Sequence, residues 1–238
     1  MYFMKIPNQR NTILWQGMLC GSLFNLMLIA LSLMQYPSLL DAGRASTVIA
    51  CVVLLLLYGC VGIGLPLQAS QPMLTALWQG TGFGLLVGVL FVADIAVEYF
   101  LNMSSQLSTL STFGFMGLIF LLFVLAGARG TQRTGQFLLG SLTSIWSAML
   151  GVLIAVLFGF AVNFFFIQRL EHILASDYVS SGMRDIRAFT FFNSLDSASS
   201  HLLEGPILAA VLGTISALTI KGLMSLRGKH LFSSKRSS

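Results

Sequence analysis

Charged side chains are scarce in this sequence. Only 9% of its 238 residues are Asp, Glu, Lys or Arg, against about 25% in a soluble domain. That excludes an ordinary water-soluble fold, and the 56% of hydrophobic residues points to a chain made for lipid. Cysteine is also short. Cys20, Cys51 and Cys60 all lie inside apolar runs, and neither a disulfide framework nor metal-ligand spacing can be built from them. The five prolines (Pro7, Pro37, Pro66, Pro72 and Pro206) are expected at or beyond the ends of the apolar runs. The broken helices of many transporter sites are therefore not expected. No polar stretch is long enough for a second folded domain. Soluble-enzyme signatures are missing too: there is no H-E-x-x-H, G-x-S-x-G, Walker-type loop or G-x-G-x-x-G. His172, His201 and His230 fall outside the expected spans, which excludes paired haem ligands in mid-membrane. No enzyme activity, cofactor or metal is expected.

What the chain does have is six long apolar runs, at approximately 13–36, 47–67, 75–98, 110–127, 138–167 and 203–224. Backbone groups in lipid must find partners within their own segment, so each run is read as a helix. The expected fold is an all-α integral membrane protein, a six-transmembrane-helix bundle forming one polytopic domain over 1–238. The basic start, MYFMKIPNQR, resembles a signal-peptide head. The run behind it is too long for one and no small-residue cleavage site follows, so it is read as the first span.

Lysine and arginine set the expected topology. With the N-terminus inside, Lys5, Arg10, Arg129, Arg133, Lys221, Arg227, Lys229, Lys235 and Arg236 fall on the inner side. Arg44, Arg169, Arg184 and Arg187 fall outside, together with all eight acids: Asp41, Asp94, Glu98, Glu171, Asp177, Asp185, Asp196 and Glu204. Both termini are expected to be cytoplasmic, in a plasma or cell membrane. The net charge of +5 is thereby a membrane asymmetry and not a nucleic-acid footprint. The basic tail, 225–238, is expected to sit near anionic lipids.

A short motif recurs at Trp15, Trp78 and Trp146, each preceded by Leu or Ile and by Thr three positions back. The preferred reading is three interfacial anchors at helix starts; the alternative is three two-helix repeats. Small residues recur at four-residue spacing: Gly17 and Gly21 in the first span, Gly80, Gly84 and Gly88 in the third, and Gly205, Ala209, Gly213 and Ala217 in the sixth. Such stripes let helix backbones approach closely. The third and sixth spans are therefore expected at the bundle centre, with a homo-oligomer or membrane-protein face as the alternative.

Candidate chemistry lies toward the outer side. Asp94 and Glu98 are one turn apart on the third span and could bind a cation or proton. Counted from Trp78 at 1.5 Å per residue, they fall about 24 and 30 Å along the helix, near its outer edge. The loop 169–202 is expected to be amphipathic, with Ala188 to Phe192 on the membrane surface or plugging the bundle mouth and a helix capped at Asn193 or Ser194. Around it gather His172, Asp196, His201 and Glu204, with Ser197, Ser199 and Ser200 beside them. Convergence on a metal or a nucleophile cannot be read from that spacing. Asn102-Met103-Ser104 matches a glycosylation sequon. Lys221 is expected to snorkel to inner headgroups, Asn25 to bond a neighbouring helix near mid-membrane, and no ionisable residue is expected at the bilayer centre. Three functions fit, in descending order: a small transport-type bundle with an acidic outer mouth; a non-catalytic scaffold or accessory subunit acting through helix and lipid contacts; and an intramembrane enzyme built on the histidines.

Overall fold

The computed structural model describes residues 9–41, 43–101 and 105–234, with side chains described over 11–41, 43–101 and 106–226. The sequon at Asn102 and the basic side chains of the tail lie outside them. The chain is an all-α bundle: α1 (Gln9–Gln35), α2 (Ala45–Gln68), α3 (Gln71–Phe100), α4 (Ser105–Thr134), α5 (Phe137–Ile173), α6 (Ala175–Ser181) and α7 (Ile186–Ser234). No strand occurs among the described residues. Six of the helices, all but the short α6, are long and apolar enough to cross a membrane. Leucines and other apolar side chains such as Leu56, Leu85, Val89, Phe113, Leu121 and Val211 point outward, as lipid allows and water does not. The turns use glycine where the backbone needs it: Gly135 (φ 70°) separates α4 from α5, and Gly182 (φ 68°) ends α6.

The helices form three antiparallel hairpins, α1–α2, α3–α4 and α5–α7, but these are not packed equivalently. The α5–α7 pair forms the middle; α3 and α4 pack on it, as do α1 and α2. The hub is α5, which touches α1, α3, α4 and α7. This corrects the expectation for the third span, while the sixth, α7, is central as expected, with α5 as its partner. Both α3 and α7 pack on α5, whose own small polar residues Ser141, Thr143, Ser144 and Ser147 are buried. A Cβ added at Gly84 would lie 2.9 Å from Leu150 Cβ and from the Ser147 carbonyl, and one at Gly88 2.7 Å from Ile154. Gly80 meets the Thr143 carbonyl and the Trp146 ring in the same way. On α7, Gly213 lies against Ser144, Gly205 against Val152, and Ala209 is fully buried. The stripe on α1 behaves differently: Gly17 has nothing near it and Gly21 makes ordinary contact with Leu153.

Two further expectations change. Trp146 is no interfacial anchor, because it is buried on Gly80 and its indole N–H donates to Thr81 Oγ1 at 3.0 Å. The stretch 169–202 is no loop either. α5 continues through Ile173, α6 and a turn at Gly182 follow, and α7 starts at Ile186, ahead of the expected cap at Asn193 or Ser194. Ala188, Phe191, Leu195, Ala198 and Leu202 form one buried stripe. Their alternating spacing of three and four residues is a helix period. Phe191 packs against Tyr36 and Phe164 at ring distances of 5.1 and 5.0 Å. Ala188–Phe192 therefore belongs to the bundle wall. Asn25 is fully buried and donates to the Leu153 carbonyl of α5 at 3.2 Å.

Candidate functional site

Helix register decides where the ionisable groups fall. α3 runs parallel to α5, since Gly84 meets Ser147 and Gly88 meets Ile154; α7 runs antiparallel, since Gly213 meets Ser144 and Gly205 meets Val152. The Phe91 and His201 rings lie side by side, 5.7 Å between centroids. At 1.5 Å per residue, that level is about 10 Å below Glu98 and about 20 Å above Trp78. Glu204, a further turn along α7, lies about 15 Å from each, halfway between them. Counted this way, Glu204 falls at mid-depth between Trp78 and Glu98, against the expectation of no ionisable residue at the bilayer centre. That expectation placed Glu204 at the start of the sixth span, whereas the span has already run eighteen residues from Ile186 when it reaches Glu204.

Asp94, Glu98, Tyr99, Ser194, Ser197 and His201 line one cavity of about 110 Å³ between α3, α5 and α7, with the Phe91 and Phe160 rings in its walls. A volume of this size holds several waters or one small guest. Glu98 is exposed and Asp94 half-buried, so the cavity grades from the acidic end inward. His201 also borders a second, smaller apolar cavity of about 40 Å³, shared with Glu204, Phe120 and Leu208. Glu98, Asp94, His201 and Glu204 thus form a descending series of ionisable groups. No basic side chain pairs with any of these carboxylates among the described residues. Behind the cavity, buried Asn163 donates to Ser194 Oγ. Arg169 fastens the mouth by donating to the Tyr99 and Phe100 carbonyls at 2.6 and 3.1 Å, at the end of α3.

Proline marks the same depth. Pro206 lies inside α7, contrary to the expectation that every proline falls at a span end. It has no N–H to give the Leu202 carbonyl one turn back. Tyr58 of α2 takes that place, its hydroxyl donating to the Leu202 oxygen at 2.7 Å. α7 runs on unbroken through Gly205 and Pro206, so the proline frees one carbonyl beside the ionisable groups without breaking the helix.

Of the outer candidates, only His201 lines the larger cavity. His172 is exposed at the end of α5, next to Glu171, which is paired with Arg187 at 2.8 Å. Asp196 is exposed on another face of α7. Among the described residues no three His, Cys, Asp or Glu side chains are placed to hold a metal ion. Sequence reasoning missed Phe91, Tyr99 and Ser194 as lining residues; for Ser194 the signal was the helical stripe through 188–202, masked by the polar residues on its other face, and for Phe91 and Tyr99 it was their place one turn or less from Asp94 and Glu98 on α3. No family model, curated protein or solved structure matches the chain.

Proposed function

We propose that this multi-pass bundle is a small transport-type protein that admits a cation from its acidic end toward mid-membrane. The observation that carries this is the series Glu98, Asp94 and His201, running inward from the open end of one cavity, with Glu204 one turn further along α7, exposed at mid-depth beside Pro206. Ionisable groups at that depth are costly and mark pathways. Excess carboxylate at the mouth concentrates cations there, and the Phe91, Tyr99 and Phe160 rings offer faces to a positive guest. The orientation follows from the basic residues, with Arg129, Arg133 and Lys221 at the other end. That supports a mouth outside the cell and both termini in the cytoplasm. The chain is read as non-catalytic.

The test is flux into proteoliposomes, followed with a pH-sensitive dye and with labelled potassium and methylammonium. Flux of at least one should be seen. Asp94→Asn and Glu204→Gln should each lower it by roughly tenfold, about 1.4 kcal/mol in barrier. Asp196→Asn, off the cavity, should leave it unchanged. Absence of flux for all three cations, in a protein that purifies with a stoichiometric partner, would favour the scaffold reading instead.

A further inference from the structure

The opposite end of the bundle carries a third, larger cavity, of about 400 Å³, built by α1, α3 and α4 and lined by Asn11, Gln71, Thr75, Trp78, Gln79 and Arg133. Its size is that of small-molecule sites. Among the described residues its chemistry is the reverse of the acidic mouth: amides, a hydroxyl, an indole and one guanidinium, with no carboxylate. Arg133 is exposed in the last turn of α4 and has no hydrogen-bond or ion-pair partner among the described residues. The cavity also lies at the N-terminus of α3, whose partial positive charge favours an anion.

The walls are polar but unsettled. Seven buried side-chain atoms lack a hydrogen-bond partner among the described residues, and four of them, on Asn11, Trp15, Trp78 and Gln79, are at this end of α1 and α3. Buried polar groups are nearly always paired. Three of the four, on Asn11, Trp78 and Gln79, belong to residues that line the cavity; the Asn11 amide is held by its Nδ2 donating to the Pro66 carbonyl at 3.4 Å, which leaves its oxygen for a guest. Asn11 and Gln79 carry both donor and acceptor atoms, and Trp78 a donor. The matching guest is an anion with donors of its own.

We infer that this cavity binds a phosphate-bearing polar headgroup that also carries hydroxyl or ammonium groups. The phosphate meets Arg133 and, once the side chains turn their buried polar atoms toward the cavity, the Trp78 N–H, and the donors meet the Asn11 and Gln79 oxygens. The inference is independent of the transport reading, because it concerns other residues at the other end. Two sources share this chemistry: a membrane phospholipid and a soluble phosphate ester.

The experiment is native mass spectrometry of the full chain in detergent, titrated separately with dioctanoyl phosphatidylglycerol and with glycerol 3-phosphate. At least one probe should bind. Arg133→Gln should weaken it by roughly tenfold, as expected for a charge-assisted contact. Trp78→Phe, which keeps the ring and removes the N–H, should weaken it several-fold. Arg129→Gln, one turn away and off the cavity, should bind as the parent does. Tighter binding of the lipid assigns the site to the membrane; equal or tighter binding of the ester assigns it to a soluble metabolite. The inference is overturned if neither probe binds, which leaves the cavity to water, or if Arg129→Gln weakens binding as much as Arg133→Gln. Thermal unfolding of each variant separates lost binding from lost fold.

Discussion

At the scale of single residues, the most consequential contact is the Tyr58 hydroxyl on the Leu202 carbonyl. A proline inside a membrane helix strands one carbonyl, and lipid offers it nothing. Tyr58 is buried and its hydroxyl sits 2.7 Å from that oxygen. Tyr58→Phe keeps the ring packed and removes only the donor. The expected cost is about 1–3 kcal/mol, that of a buried acceptor left unmet, read as a lower unfolding midpoint in detergent. Pro206→Ala in the same background should recover much of it, because the alanine N–H then reaches the carbonyl. A double variant no more stable than Tyr58→Phe alone would show that the proline is not the reason for the contact. Residue identities such as these were visible in the sequence, but their partnership was not. Tyr58 and Leu202 are far apart in the chain, and nothing in either segment names the other.

At the scale of elements, α5 and α7 show why some of the architecture was readable and some was not. A span of uninterrupted apolar residues announces itself, and the first five helices sit where their hydropathy placed them. The opening third of α7 does not, because Arg187, Asp196 and several serines lie on its exposed face while Ala188, Phe191, Leu195, Ala198 and Leu202 are buried. Mean hydropathy sees the sum of the two faces; only the three-four period separates them. The missed start then misplaced Glu204 and Pro206, and with them the depth of the site. The centrality of α5 was hidden by the opposite effect. Its buried Ser141, Thr143, Ser144 and Ser147 look unremarkable in sequence, yet they are the small residues onto which the glycines of α3 and α7 close. Gly213→Val tests this interface, since a Cβ there would collide with Ser144 Cβ. It should destabilise the bundle by about 1–3 kcal/mol through overpacking. Gly17→Ala, with open space around it, should be neutral or stabilising by up to about 1 kcal/mol through helix propensity. Equal losses in thermal unfolding for the two would mean that the stripes do not differ in role.

At the scale of the whole molecule, charge divides the bundle. Glu98, Glu171, Asp177 and Asp185 lie at one end, and Arg129, Arg133 and Lys221 at the other, where the Lys221 ammonium sits over the Phe137 ring at 5.1 Å. The two cavities follow the same division, an acidic one at the first end and a cationic one at the second. Basic residues near span ends orient membrane proteins, so the acidic mouth should open outside the cell and the Arg133 cavity inside. Single cysteines can check this once Cys20, Cys51 and Cys60 are replaced by alanine. Ser180→Cys lies on exposed α6 at the acidic end, and Gln136→Cys in the exposed turn between α4 and α5 at the other. In intact cells a membrane-impermeant maleimide should label the first and not the second; after permeabilisation it should label both. Labelling of Gln136→Cys alone in intact cells would invert the molecule. The carboxylate series would then lead from the cytoplasm, and the proposed uptake would become export.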